Sequence, residues 1–557
     1  MAVHVAGLVA VVAFYGVILL TGIFAARKSK KLEKKCTGRK SEVAIVGGRN
    51  INIVVGVFTM TATWVGGGYL MGTAEAVYLP TRGLVWASGP FAYLVNFILG
   101  GIFFAKPMRS KRYVTMLDPF QHRYGRLFTT AILIPSLLSD IFWVACILAG
   151  LGATMSIILD LSPVVSILIS AAVSIIYTVL GGLYAVAYTD VIQLSFIFVS
   201  LWLCIPFMFL SPAVTDLSQT IHLNEVPLLF DVTSMLSALL ILAAASSSKA
   251  QVSCFAAALF SFIMGIPSVI IGAAAASADW NQTEYGLPPP YERGEAGNVL
   301  PLALSYITPN WVSVLGIGSV AAAVMSSMDS ALLSSASMFT QNIYKATLRK
   351  QASDRELQWV TRICVLLVGL AGTGLAFNKS SMLALMLLTT DLLYCIVTPQ
   401  LVCVVHLRSA NCYGAISGYT VALLLRVLSG EPALGIPPVI LYPGWREEDG
   451  VITQYFAFRT LIAFISLAVV VLVSCLVELG FNHNVIPQSW DVLDVFKKKI
   501  EAEEDEKPTP LSHEGKNIVL NTALRPDGSS SDHKYQFRFS AESPLTKLWP
   551  CKKSVSW

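Results

Sequence analysis

Long apolar runs separated by short polar loops cover the first 480 residues of the chain. A helix needs about 20 apolar residues to cross a bilayer, and runs of this length predict about thirteen transmembrane helices. The predicted spans lie near residues 5–26, 50–72, 84–105, 128–158, 164–184, 190–211, 232–248, 251–276, 311–340, 358–377, 382–406, 412–430 and 456–478. Only 13% of the residues are charged, against roughly 25% in soluble domains. The pattern therefore predicts an all-α polytopic membrane protein.

The second apolar run is interrupted by three glycines. In NINIVVGVFTMTATWVGGGYLMGTAEAVY, residues 50–78, Gly66, Gly67 and Gly68 follow one another. An unpaired backbone carbonyl in hydrocarbon costs several kcal/mol, so a helix break is tolerated only where it lines a polar cavity. Broken spans of this kind form ion and substrate sites in secondary transporters. With Trp64 beside the break, the segment predicts a sodium-type cation site next to an aromatic cage for an organic cation.

Basic residues are concentrated in alternate loops, within 27–35, 106–126 and 345–355. The positive-inside rule then places the N-terminus outside the cell and the C-terminus in the cytoplasm. The sequon at Asn281 lies in the long loop 277–310, which this orientation places outside, where glycosylation can occur. Most of the ten cysteines lie inside apolar spans, which favours buried free thiols over a disulfide framework.

Two further motifs place carboxylates and hydroxyls at membrane depth. GGLYAVAYTDVIQ, residues 181–193, carries Asp190 at the junction of two predicted spans. Asp190 either caps the N-terminus of the second helix, where the helix dipole favours negative charge, or lies on the cytoplasmic route of a cation.

The other motif, AAAVMSSMDS, carries Ser326, Ser327 and Asp329. Such groups are costly in a membrane unless they are paired or coordinate something, although small residues also allow close helix packing. Asp329 favours the cation interpretation, because packing does not need a carboxylate. Asp140, one turn before Trp143, either favours a cation or pairs with a polar neighbour.

GGLYAVAYTDVIQ and AAVMSSMDSALLSSASMFTQNIY resemble the sodium/solute symporter family, whose core is two inverted five-helix repeats with broken helices. TMTATWVGGGY, GTAEAVY, FFAKPMRSKRYVTMLDPFQ and DWNQTEYGLP resemble the choline-transporting members of that family. The resemblance implies a first helix at 1–26, a first repeat at 50–211, a second repeat at 232–406 and two last helices at 412–480. The polar composition of residues 481–557, rich in Lys, Glu, Ser and Pro, predicts a disordered cytoplasmic tail.

The resemblance also implies roles for individual residues. Sodium would bind the carbonyls of Ala62, Val65 and Ala323 and the hydroxyls of Ser326 and Ser327, with Asp190 and Asp329 on the sodium path. Trp64, Tyr93 and Trp143 would surround the organic cation, with Asp140 nearby. Each desolvated cation–π contact is worth ~2 kcal/mol or more.

The predicted span 232–248 departs from the family pattern. Its 17 residues contain no glycine, proline, tryptophan or arginine, and as a helix they would reach only about 26 Å. The family has a second broken helix here, with a tryptophan that lines the substrate cage. Three explanations are open: a skipped exon or faulty gene model, a diverged paralogue with an altered substrate, or a chain that no longer transports.

The function implied is a sodium-coupled, chloride-dependent choline symporter of the plasma membrane, presynaptic in location, which supplies choline for acetylcholine synthesis. The alternatives are a sodium symporter for another small solute and a non-transporting membrane protein with a sensing or inhibitory role. The sequence shows no Walker motif and no metal-ligand cluster, so no enzyme activity, cofactor or nucleic-acid partner is predicted. Sodium, chloride, choline and the lipid bilayer are the predicted partners, and assembly into a homo-oligomer is left open.

Overall fold

The described part of the chain is built almost entirely from helices. The computed structural model describes residues 52–159, 162–214, 247–377, 382–431, 434–448, 451–454 and 456–493, and four single positions, Gly16, Leu20, Thr21 and Phe24. The helices are α1 (Ile53–Trp64), α2 (Gly67–Tyr78), α3 (Ser88–Leu99), α4 (Lys106–Ser110), α5 (Asp118–Leu159), α6 (Pro163–Phe209), α7 (Ser247–Ala276), α8 (Val299–Tyr306), α9 (Asn310–Met338), α10 (Asp354–Ala376), α11 (Met382–Leu392), α12 (Thr398–His406), α13 (Cys412–Leu428) and α14 (Phe458–Asn482). This confirms the all-α prediction.

The predicted spans have helical counterparts wherever the structure describes them. Within the described ranges, eight helices are long and apolar enough to cross a membrane, α1 and α2 form one bent pair, and two shorter apolar helices cover Pro163–Ile176 and Cys412–Leu428. Residues 5–26 lie outside the described residues except for the four single positions, and residues 232–246 of the shortened span lie outside them entirely. The total of about thirteen spans therefore stays a prediction.

Local signals in the sequence explain several helix starts. The Asn52 side chain accepts a hydrogen bond from the backbone of Val54 and so caps α1, and Ser162 caps α6 in the same way. At α10, Ser353 and Glu356 form a reciprocal capping box. Such side chains satisfy amide groups that have no partner inside the first turn.

The broken helix predicted in residues 50–78 is confirmed. α1 and α2 are bent by 53° at the break. The break itself is shorter than predicted: only Val65 and Gly66 are non-helical, while Gly67 and Gly68 open α2. Because Gly66 adopts an extended conformation (φ −106°, ψ −175°), the chain changes direction over Val65 and Gly66 alone.

Two helices differ from their predicted bounds. α5 begins at Asp118, ten residues before the predicted span. It includes Gly125 at φ 84°, a backbone conformation that glycine adopts readily and other residues disfavour. α6 has helical backbone from Pro163 to Phe209 and so joins two predicted spans. Asp190 therefore lies deep inside a helix, and the N-terminal capping alternative is wrong, because the dipole acts only within the first turn.

Buried salt bridges connect the last helices of the described chain. Arg426 on α13 donates to Asp391 Oδ2 on α11 at 2.8 Å and also pairs with Glu431, while Arg459 on α14 pairs with Asp391. Asp391 is fully buried. After α13, a small antiparallel hairpin pairs β1 (Trp445–Glu448) with β2 (Val451–Gln454).

The start of the predicted disordered tail is folded. α14 continues to Asn482, a 3₁₀ turn covers Gln488–Trp490, and the Tyr413 hydroxyl donates to Asp491 Oδ1 at 2.9 Å. Residues 481–493 therefore pack against α13, contrary to the prediction. Residues 494–557 lie outside the described residues.

Candidate functional site

The end of α1 presents a backbone carbonyl to α9. Because α1 stops at Trp64, the carbonyls of its last turn lose their partners within the helix. Ala62 O accepts a hydrogen bond instead from Ser327 Oγ on α9, at 3.1 Å. Ala62 and Ser327 are both fully buried. Two of the predicted sodium ligands, the Ala62 carbonyl and the Ser327 hydroxyl, are thus in direct contact at the break.

The three glycines allow α9 and α5 to approach the break closely. A Cβ added at Gly66 would lie 2.1 Å from Ser327 Oγ and 3.7 Å from Ala323 O. One added at Gly67 would lie 2.4 Å from Val324 Cγ2 on α9. The glycines therefore allow close packing against α9, and both Ala323 O and Ser327 Oγ lie near Gly66. Val65, the remaining predicted ligand, is fully buried within the break.

Two carboxylates lie beside this oxygen cluster. Ser326 Oγ donates to Asp190 Oδ1 at 2.6 Å, and Thr178 Oγ1 lies 2.6 Å from Asp329 Oδ1. Both aspartates are fully buried, and the second oxygen of each has no hydrogen-bond partner among the described residues. The ion pairs found in the described ranges involve neither of them. Since an uncompensated buried charge is costly, this region of α6 and α9 favours a bound cation.

Aromatic rings surround the other side of the break. The Trp64 ring meets Tyr93 on α3 edge-on at 5.4 Å, and Tyr93 stacks on Tyr69 at 4.7 Å. Trp143 on α5 lies beside Gly68, since a Cβ added at Gly68 would be 3.4 Å from Trp143 Cζ3. Tyr69, Tyr93 and Trp143 belong to one buried cluster against which Trp64 packs. The three predicted aromatic residues therefore converge on the start of α2.

Asp140 has the polar neighbour that was one of its two predicted roles. Asp140 Oδ2 accepts a hydrogen bond from Ser335 Oγ on α9 at 2.6 Å. Ser335 lies eight residues beyond Ser327, which is about 12 Å along a helix. The hydrogen bond with Ser335 thus places Asp140 away from the oxygen cluster, and contact with substrate stays a prediction for this residue.

The loop 277–310 carries a separate aromatic group. Trp280 is buried, donates to Ala275 O at 3.2 Å, and meets the Tyr285 ring at 5.2 Å. Burial and the hydrogen bond to Glu295 raise the pKa of the Tyr285 hydroxyl. Packing within the loop explains these contacts. Asn281 of the sequon is exposed.

Several residues of this region were not singled out from the sequence. Tyr69 follows Gly68 directly, and an aromatic residue beside a predicted helix break is a sequence signal that indicates a site residue. Thr178 and Cys146 are single small residues in apolar helices and give no such signal. Asp391 and Arg426 lie in predicted spans, where ionisable residues are functional candidates by default, but the structure pairs them with each other.

Known proteins resemble the chain over most of its length. The model of the sodium:solute symporter family matches residues 45–226 and 238–422. The high affinity choline transporter 1 of Homo sapiens is 45% identical over 544 residues, covering 94% of this chain and 93% of that protein. The Torpedo marmorata protein of the same name is 44% identical over 548 residues, covering 94% of each.

A solved structure shares the fold. It is a substrate-bound, outward-open Na⁺-coupled sialic acid symporter, with a TM-score of 0.65 and 17% identity, covering 84% of this chain and 98% of that one. The family match is interrupted between residues 226 and 238, and this gap overlaps the start of the short predicted span 232–248.

Proposed function

The chain belongs to the sodium:solute symporter family, and from this premise we propose that it is a sodium-coupled, chloride-dependent symporter that imports choline across the plasma membrane. It performs no covalent chemistry in this proposal and needs no cofactor. The further elements of the proposal are a presynaptic location, choline supply for acetylcholine synthesis, an extracellular N-terminus, a cytoplasmic C-terminus and glycosylation at Asn281. The relatives named as choline transporters support the choice of substrate.

The observation that carries the proposal is the pairing of an aromatic cage with an oxygen cluster at one helix break. Trp64 is the last residue of α1 and faces Tyr93, while Ala62, two residues earlier, faces Ser327. A quaternary ammonium group cannot donate hydrogen bonds, and its recognition relies on aromatic faces. Sodium, a hard cation, prefers carbonyl, hydroxyl and carboxylate oxygens. The two sets of ligands suit an organic cation and sodium respectively.

Their closeness offers a mechanism for coupling. In the proposal, sodium is bound by the Ala62, Val65 and Ala323 carbonyls and the Ser326 and Ser327 hydroxyls. These ligands lie on both α1 and α9, so a bound ion favours the conformation in which the two helices meet at the break. That conformation also places Trp64 against Tyr93. A ligand shifts an equilibrium only through its different affinity for the two states, and sodium meets this condition if the helices separate during transport.

Asp190 and Asp329 extend the site along α6 and α9. Their unpartnered oxygens lie next to Ser326 and Thr178, so a cation leaving the break would meet carboxylate oxygens before it meets apolar side chains. Alternating access would expose this route to the cytoplasm after choline has bound. Both residues are therefore proposed for the sodium path.

A non-transporting membrane protein is the second candidate. The interruption of the family match at 227–237 favours it, because this gap overlaps the predicted span 232–248, which is short for a bilayer crossing. A sodium symporter for another small solute is less favoured, because the aromatic residues at the break offer few hydrogen bonds to a sugar or an acid.

The test is uptake of radiolabelled choline in cells that express this chain, with sodium or chloride present or replaced. We expect uptake to require both ions, and Trp64→Ala to lower it about 30-fold, the equivalent of ~2 kcal/mol for one cation–π contact. Trp359→Ala is the matched control, since Trp359 is 62% exposed on α10. Glycosidase sensitivity at Asn281 checks surface delivery. No uptake at normal surface density would refute the symporter proposal and favour the non-transporting alternative.

A further inference from the structure

Tyr93, one of the aromatic residues at the break, carries a buried hydroxyl group. Its side chain is 3% exposed, and its hydroxyl has no hydrogen-bond partner among the residues that the structure describes. A buried polar group left without a partner costs about 1–3 kcal/mol. Phenylalanine would fill the same space and avoid this cost. The hydroxyl therefore calls for a partner that belongs to another state of the site.

The neighbouring tyrosine shows the difference. Tyr69 stacks on Tyr93 with the ring planes 14° apart. Its hydroxyl donates to Ser261 O on α7 at 3.0 Å. Both rings are buried in the same cluster, yet among the described residues only the Tyr69 hydroxyl has a hydrogen-bond partner.

Tyr93 lies among the aromatic residues at the break. Its ring meets the Trp64 ring edge-on at 5.4 Å, and it belongs to the same buried cluster as Trp143 and Cys146. Cys146 Sγ is 3.1 Å from the position that a Cβ on Gly68 would occupy, and Trp143 borders the same position at 3.4 Å. The Tyr93 side chain is thus part of the cluster that surrounds the start of α2.

We infer that the Tyr93 hydroxyl is the hydrogen-bond partner of the substrate's own hydroxyl group and selects for it. The inference rests on the proposed function. Choline carries a trimethylammonium group, which aromatic faces bind, and one hydroxyl, which they cannot satisfy. A site with a buried hydrogen-bonding group rejects an analogue that lacks the matching group, because binding the analogue leaves that group unpaired. Tyr93 in this view contributes its ring to the cage and its hydroxyl to specificity.

The test compares two ligands and two variants. Choline and propyltrimethylammonium have nearly the same shape, with a methyl group in place of the hydroxyl in the latter. Each competes against radiolabelled choline on cells that express the full chain, with surface density measured in parallel. Tyr93→Phe removes only the hydroxyl under study. Tyr69→Phe is the matched control, since it removes a hydroxyl from the stacked ring whose partner is internal.

In the wild type we expect choline to bind more tightly than propyltrimethylammonium. Tyr93→Phe should lower that preference about fivefold or more, through weaker choline binding, while propyltrimethylammonium binds as before. Tyr69→Phe should keep the wild-type preference. An unchanged preference in Tyr93→Phe would overturn the inference and leave the proposed function intact. If neither ligand binds the wild type, the proposed function itself fails.

A measurement on the wild type covers the case in which Tyr93→Phe does not reach the surface. The methyl ether of choline accepts a hydrogen bond but cannot donate one. If Tyr93 donates to the substrate oxygen, the ether should bind more tightly than a butyltrimethylammonium ion of equal length. If choline and the ether show no advantage over their hydrocarbon analogues, the inference is wrong.

Discussion

Gly66→Ala tests whether the contact between the helix break and α9 controls sodium binding. The added Cβ would lie 2.1 Å from Ser327 Oγ and 2.6 Å from Ser327 Cβ. Rotation of the serine can move Oγ but not Cβ, and carbon atoms pack at about 3.5–4.0 Å. The break must therefore move away from α9 by roughly 1 Å. No backbone strain contributes, because the extended conformation of Gly66 is open to alanine.

The expected effect falls on sodium affinity. Inserting a methyl group into a well-packed site costs typically 1–3 kcal/mol. Ala62 O and Ser327 Oγ are the groups driven apart, so most of this cost should reduce sodium binding. The half-saturating sodium concentration should rise about 5- to 150-fold.

The assay is choline uptake as a function of sodium, normalised to the amount of transporter at the cell surface. Gly374→Ala is the matched control, because a Cβ at Gly374 on α10 would meet nothing within 4 Å. A half-saturating sodium concentration within about twofold of the wild type in Gly66→Ala would show that the cation is not held between the break and α9.

Two other perturbations separate the sodium route from structural charge. Asp190→Asn keeps the shape of a side chain that is hydrogen-bonded to Ser326 but removes its charge. Since unit charges 4 Å apart interact by ~4 kcal/mol at an effective dielectric of 20, the half-saturating sodium concentration should rise at least about tenfold. Asp279→Asn, at an exposed position of the loop 277–310, should leave that concentration unchanged. Asp391→Asn removes the partner of Arg426 and Arg459, and breaking a buried pair costs about 3–5 kcal/mol, so the melting temperature of the purified protein should fall clearly. Replacing Arg349, which is 64% exposed where it pairs with Glu356, should change the melting temperature little, because such pairs contribute about 0–1 kcal/mol. Equal shifts in the two variants would contradict the structural role of Asp391.

The sequence by itself determined the helices, the break and the residue types of the site. Apolar run length sets spans because a helix must cross the hydrocarbon with its backbone bonds satisfied internally. The described spans have helical counterparts, although α5 starts earlier than predicted and α6 joins two predicted spans. The glycines marked the break, and the intramembrane aspartates and serines marked the helices that carry a polar site. These signals are local, so one chain suffices to read them.

Only the tertiary structure decided which of these groups meet. That Ser326 contacts Asp190, 136 positions away in the chain, depends on how α6 and α9 pack, and helix packing is fixed by side-chain shapes along both surfaces rather than by either segment alone. The same holds for Asp140, whose partner Ser335 could not be chosen from sequence, and for the buried Asp391–Arg426 pair. It also holds for Tyr93 and Tyr69, since among the described residues only the Tyr69 hydroxyl has a hydrogen-bond partner, the Ser261 carbonyl on α7.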